Sequence, residues 1–127
     1  MKGEKIMKVF VLDTEAQSFN FVETEGGLEE WYRLLHCDLI DITERKIGGK
    51  YFDVICDDEG LFKENPIISA ITDSGEARLV GSIAICNHDG EGHETGLTWE
   101  DEKIIVMKQA IATRADGEKF HVIVLDE

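Results

Sequence analysis

The 127-residue sequence lacks any run close to the roughly 20 apolar residues that a membrane-spanning helix needs. Its first apolar segment, residues 6–12, is too short and too interrupted for a secretory signal peptide. Cysteine is also scarce. The chain has only Cys37, Cys56 and Cys86, which is an odd number, and no CxxC pair occurs. A disulfide framework is therefore not expected, and these absences predict a protein of the reducing cytoplasm.

Basic residues are few, with 13 lysines and arginines against 27 acids and a formal net charge of −14. Such a charge disfavours direct binding to nucleic acid or to an anionic membrane and suits a basic protein partner. The single proline leaves no obvious linker, while 43% hydrophobic residues are enough for a folded core. We therefore expect residues 1–127 to form one domain.

The first half of the chain predicts a strand, a helix and a hairpin. β-branched and aromatic residues at 6–12 favour a strand, and polar, acidic sequence up to Gly26-Gly27 indicates a loop. Apolar residues at helical spacing, with acids first and a basic residue last, predict a helix over 28–36. Two alternating segments on either side of Gly48-Gly49 predict a β-hairpin.

The pattern of the second half predicts its secondary structure less firmly and leaves one alternative open. Asn65-Pro66 marks a turn, after which residues 67–73 are expected to form a brief helical turn. Residues 79–86 are expected to form a buried strand, with a bulge or a close backbone approach at Gly81. Residues 99–115 favour a helix capped by Thr98, although a hairpin between 104–112 and 120–125 is the alternative. The fold class predicted is α+β, with a mainly antiparallel sheet of four to five strands and two helices packed on one face.

Five short segments resemble a domain-of-unknown-function family numbered 3846. They are residues 37–40 (CDLI), 49–53 (GKYFD), 57–61 (DDEGL), 79–85 (LVGSIAI) and 96–101 (GLTWED). The resemblance covers about residues 28–105. It implies a bacterial accessory protein of a phage, plasmid or other mobile element, and it supplies no activity and no catalytic residue.

The segment 86–96, CNHDGEGHETG, holds the residues most suggestive of chemistry. Cys86, His88 and His93 are metal-ligand types, but their spacing matches no established zinc signature. We interpret the segment as a hydrated loop that follows a core strand, with a metal-binding protein or hydrolase as the alternative. The sequence contains no GxSxG, HExxH or phosphate-binding glycine loop. No catalytic residue and no cofactor are therefore expected.

Two stretches are rich in acids and contain no lysine or arginine. Residues 9–32 and residues 86–102 hold six acids each. We predict a non-enzymatic protein that binds a basic protein partner through such a surface, or, alternatively, a nucleic-acid mimic that inhibits a host DNA-binding or defence protein. The candidate binding residues are Asp89, Glu91, Glu94, Glu100, Asp101 and Glu102.

Overall fold

The structure, a computed structural model, describes residues 6–63 and 66–127. These residues form two α-helices, ten strands and one 3₁₀ turn. In chain order the elements are β1 (Met7–Asp13), β2 (Ser18–Thr24), α1 (Leu28–Leu35), β3 (Ile40–Ile47), β4 (Lys50–Asp57), the 3₁₀ turn (Gly60–Phe62), β5 (Ile68–Thr72), β6 (Ala77–Val80), β7 (Ile83–His88), β8 (Glu94–Thr95), α2 (Trp99–Met107), β9 (Gln109–Thr113) and β10 (Lys119–Leu125).

The strands form two sheets. The larger has six strands in the order β2-β1-β7-β4-β3, with β8 paired to the end of β7, and the smaller has four in the order β6-β5-β10-β9. Every pairing is antiparallel except that between β5 and β10. The α+β class with mainly antiparallel strands is confirmed, whereas the prediction of one sheet with four to five strands is wrong.

The central strands β1 and β7 of the six-stranded sheet are buried on both faces. Successive side chains of a strand point to opposite sides, so each of these strands contributes to two cores. In β1, Phe10 and Leu12 join a core cluster that also receives Ile123 and Leu125 of the four-stranded sheet. Val9 and its neighbours on the other face join a second cluster with the α1 side chains Trp31 and Leu35. Two buried faces explain why β1 and β7 are apolar almost throughout.

The two helices contribute to different clusters. Trp31 and Leu35 of α1 belong to the second cluster, while Ile105 of α2 belongs to the cluster between the sheets. The expected packing of both helices on one face is therefore not what these contacts show. The predicted bounds of the first helix are confirmed to within one residue, since His36 follows α1 as its left-handed cap.

Two strands, β2 and β5, form where the sequence pattern predicted a loop and a helical turn. The supposed loop before Gly26 contains β2, whose Phe19 and Phe21 rings lie 6.1 and 5.4 Å from the Phe10 ring. The expected helical turn over 67–73 is wrong, because this segment forms β5 and pairs with β6 and β10. Asn65, part of the turn predicted before it, lies outside the described residues.

The last third of the chain combines the two alternatives left open by its sequence. Helix α2 ends at Met107, well before residue 115, and β9 and β10 then form a hairpin. The Lys108 carbonyl oxygen accepts a hydrogen bond from the Val124 backbone N–H at 2.8 Å. This bond directs the chain into the four-stranded sheet directly after the helix.

The predicted strand over 79–86 is divided between the two sheets. Val80 ends β6 and Ile83 begins β7, with Gly81 between them at a φ of 90°. The predicted close approach at Gly81 is confirmed, since a β-carbon built there would lie 3.5 Å from the Gly60 Cα. A left-handed glycine thus makes the corner at which the chain passes from one sheet to the other.

Gly60 cannot gain a side chain without moving this corner. A β-carbon at Gly60 would collide with the Val80 carbonyl oxygen, which is backbone and cannot swing aside. We expect Gly60→Ala to lower the free energy of unfolding by about 1–3 kcal/mol through this overpacking. Urea denaturation measures the change. Gly90→Ala is the control, since nothing lies within 4 Å of its built β-carbon, and an equal loss in both variants would contradict the prediction.

Candidate functional site

The structure does not bring Cys86, His88 and His93 together as one ligand set. Cys86 is fully buried in the cluster under α1, where burial, with Glu94 and Asp53 nearby, raises the pKa of its thiol to about 12. His88 is exposed at the end of β7, and His93 lies in the following turn beside other carboxylates. Cys86 therefore serves as a core residue, and the two imidazoles belong to separate groups.

The turn after β7 is organised by Asp89. One carboxylate oxygen of Asp89 accepts hydrogen bonds from the backbone N–H groups of Glu91 and His93, both at 2.9 Å. These bonds hold the pKa of Asp89 below its usual value. The His93 Nδ1 lies 3.4 Å from the other Asp89 oxygen and 3.7 Å from Glu91. The segment is thus a defined turn that joins β7 to β8.

His88 instead faces two carboxylates on neighbouring strands. Its Nδ1 lies 3.1 Å from Asp53 Oδ1, and Asp53 pairs with Glu44 across β3 and β4. One possible ligand atom from each of these three residues lies within 4.8 Å of the others. The sequence pattern contained the Glu44–Asp53 pair, since the hairpin register follows from Gly48-Gly49. It contained nothing to place β7 beside β4.

Asp101 differs from the other predicted binding residues because only 2% of it is exposed. Its carboxylate lies 2.6 Å from Lys50 Nζ and accepts hydrogen bonds from the Asn87 amide and the Thr98 backbone N–H, both at 2.8 Å. Burial alone would raise the pKa of Asp101, but these bonds outweigh it and lower it to about 2. Asp101 fixes the start of α2 and cannot belong to an exposed surface.

The remaining predicted residues lie at or near the surface. Glu100 is exposed, and Glu102 lies 3.4 Å from Lys8, which pairs with Glu23 across β1 and β2. Glu94 is half-buried and accepts a hydrogen bond from the Trp31 indole N–H at 3.2 Å. These contacts attach the β8–α2 segment to the β1–β2 hairpin and α1.

The two acid-rich stretches meet at Glu94. A β-carbon at Gly26 would lie 3.7 Å from Glu94 Oε1, so the loop before α1 lies beside this carboxylate. A cavity of about 350 Å³ in the same loop is lined by Ile6, Glu23, Thr24, Glu25, Gly26 and Glu30. We call Glu23, Glu25, Glu30 and Glu94 the acidic junction. Arg33 binds Glu30 at 2.8 Å and, with Thr24, lowers the pKa of that carboxyl.

A second polar region surrounds Asp57 at the corner between the sheets. The Asp57 side chain, 3% exposed, lies 3.2 Å from Lys63 Nζ. Two cavities of about 350 and 360 Å³ adjoin this pair, and three of the segments that carry the family resemblance supply lining residues. These are Cys37, Asp38, Asp57, Glu59, Gly60, Gly81 and Ser82. The resemblance thus includes residues that shape the corner.

The thiols near this corner are poor nucleophiles. Burial raises the pKa of Cys37 and of Cys56 to about 11 each, with Asp57 and Asp41, respectively, adding to the effect. Both cysteines are free and buried. A thiol with such a pKa is almost entirely protonated at neutral pH, and the thiolate is the reactive form. Neither residue is therefore suited to nucleophilic catalysis.

These features define an α+β domain with an acid-rich surface. The chain belongs to the family described as Domain of unknown function (DUF3846), whose model matches residues 7–111. The match includes β1 and β2, so the family region begins well before the expected residue 28 and also passes residue 105. No curated protein and no solved structure matches the chain. Neither of the described helices has the length and apolar composition needed to cross a bilayer.

Proposed function

We propose that this protein is a non-enzymatic binding protein of the cytoplasm that docks a basic protein partner through the acidic junction. The observation that supports it most is the hydrogen bond from the Trp31 indole to Glu94, which brings the two acid-rich stretches together. The acidic junction draws carboxylates from both stretches, Glu23, Glu25 and Glu30 from the first and Glu94 from the second. A partner with complementary charge would be steered toward it.

In the described part of the chain two cations, Arg33 and Lys8, lie beside the acidic junction, which holds four carboxylates. Arg33 binds Glu30, and Lys8 lies near Glu102, but Glu23 and Glu25 are exposed and have no ion pair among the described contacts. Exposed carboxylates of this kind contribute mainly to association rate and specificity, and their effect falls as salt increases. A salt-sensitive interaction is the expected signature.

The family resemblance supports a more specific setting, an accessory protein of a bacterial phage, plasmid or other mobile element. In that setting the basic partner is encoded by the host or by the element. If that partner normally binds DNA, the acidic junction competes with phosphate groups, and the protein then acts as a nucleic-acid mimic. Competition with duplex DNA for the captured partner distinguishes this inhibitory mode from simple docking.

The test compares two triple variants with the same loss of charge. The first replaces Glu23, Glu25 and Glu30 of the acidic junction with glutamine, and the second changes Asp73, Glu76 and Glu118, in the turns of the four-stranded sheet, to their amides. Three surface charges worth about 0.5 kcal/mol each should lower affinity for the partner about tenfold in the first variant.

The measurement is affinity capture from host lysate over a salt series, followed by titration of the retrieved basic protein. The second triple variant should bind as tightly as the wild type. Capture that is insensitive to salt, or an equal loss of affinity in both variants, would contradict docking at the acidic junction.

A further inference from the structure

We propose that Glu44, Asp53 and His88 form a binding site for one divalent transition-metal ion of the zinc class. The three residues lie on β3, β4 and β7, which are consecutive neighbours in the six-stranded sheet. This proposal is independent of the acidic junction, because it shares no residue with it. We call Glu44, Asp53 and His88 the sheet triad.

The strand register holds the sheet triad on one face. Glu44 is paired with Asp53, and Asp53 is paired with Cys86, two residues before His88 on β7. Side chains two residues apart on a strand point to the same side. The sheet triad therefore lies on the same face of the sheet as Cys86. Helix α1 covers that face at Cys86, and the sheet triad lies outside the covered area. Ligands on paired strands lose little conformational freedom when an ion binds.

The spacing within the sheet triad fits an ion. His88 Nδ1 and Asp53 Oδ1 are 3.1 Å apart. Two ligands at about 2.1 Å from one zinc ion are separated by roughly 3.0–3.4 Å at right or tetrahedral angles. In the metal-free chain the same two atoms lie at hydrogen-bond distance. Metal binding replaces that hydrogen bond with a shared ion.

The surroundings leave space and charge for the ion. A cavity of about 480 Å³ beside the sheet triad is lined partly by Glu44 and His88, and it has room for water ligands. Lys50, which also lines the cavity, is held at 2.6 Å by Asp101. One imidazole with two carboxylates suits zinc-class ions better than magnesium, which prefers oxygen ligands alone.

The Asp89–Glu91–His93 group provides a matched control within the same chain. It contains the same ligand types, also grouped within 4.8 Å. It lies in an exposed turn, however, and one Asp89 oxygen already accepts two backbone hydrogen bonds. Removal of His93 should therefore leave zinc binding at the sheet triad unchanged.

The experiment titrates zinc chloride into the metal-free full chain by isothermal calorimetry. The wild type should bind one zinc ion per chain, and excess magnesium should not displace it. Loss of the outer hydrogen-bond partners of metal ligands typically costs about 10–100-fold in affinity. His88→Ala and Glu44→Gln each remove a ligand and should cost at least as much, while His93→Ala should bind like the wild type.

Circular dichroism shows whether each variant remains folded, as is expected for substitutions at three exposed positions. Absence of zinc binding in the wild type would overturn the proposal. It would also be overturned by wild-type affinity in both His88→Ala and Glu44→Gln, by loss of binding in His93→Ala alone, or by displacement with magnesium.

Discussion

Replacing Trp31 with alanine should lower the free energy of unfolding by about 3–5 kcal/mol, the range for truncating a large buried aromatic side chain. Trp31 is 1% exposed and packs between α1 and the six-stranded sheet with Val9, Val11 and Cys86. Its removal leaves a cavity that neighbours fill only in part. The substitution also removes the hydrogen bond of 3.2 Å that the Trp31 indole N–H donates to Glu94.

The second tryptophan provides the control. Trp99 is 67% exposed at the start of α2, where Lys103 Nζ lies 3.7 Å from the ring centroid. Trp99→Ala should change the free energy of unfolding by less than about 1 kcal/mol, since only an exposed cation–π contact is lost. Urea denaturation of both variants measures the difference. Similar midpoints would show that Trp31 does not hold α1 on the sheet.

Asp101→Ala should cost about 2–4 kcal/mol in the free energy of unfolding, because it removes one partner from a buried network of hydrogen bonds and charge. The change leaves the Thr98 N–H and the Asn87 amide without their carboxylate acceptor and ends the reciprocal cap of α2. Lys50 is partly exposed and can turn to water, so the ion pair contributes less than a fully buried pair would. Glu100→Ala, one residue earlier but exposed, should cost less than about 1 kcal/mol.

The stability that Asp101 supplies should also depend on pH. Its pKa is lowered to about 2 in the folded chain from an ordinary value of 3.8. A depressed folded-state pKa means that the contribution is fully present above the unfolded value and is lost as pH falls through the folded one. Wild type should therefore lose stability relative to Asp101→Ala between about pH 5 and pH 2. A constant difference across that range would contradict this assignment.

Local sequence pattern was sufficient to predict the elements whose contacts are made between residues close together in the chain. The β3–β4 hairpin follows from alternation around Gly48-Gly49, and α1 follows from apolar spacing with acids first. The cap of α2 was also legible, because Thr98 precedes Asp101 by three residues. That same spacing could have indicated that Asp101 is a structural carboxylate and not part of a binding surface.

The features that local pattern did not predict depend on pairing between strands that are far apart in the chain. Residues 68–72 become a strand because β10, about fifty residues later, pairs with them in parallel. Gly81 interrupts an apolar run that reads as one strand, and only the approach of Gly60 shows that a corner is needed there. The sheet triad was missed for the same reason, since His88 meets Asp53 only through the β4–β7 pairing.

The position of β10 in the four-stranded sheet has a consequence for synthesis on the ribosome. β10 lies between β5 and β9, although it follows both in the chain. Until residue 125 has emerged from the ribosome, one edge of β5 has no strand to pair with, and Ala70 and Thr72 lack the strand that buries them. All strands of the six-stranded sheet lie before residue 96, so during translation they can pair first and offer a surface on which α2 and the smaller sheet close last.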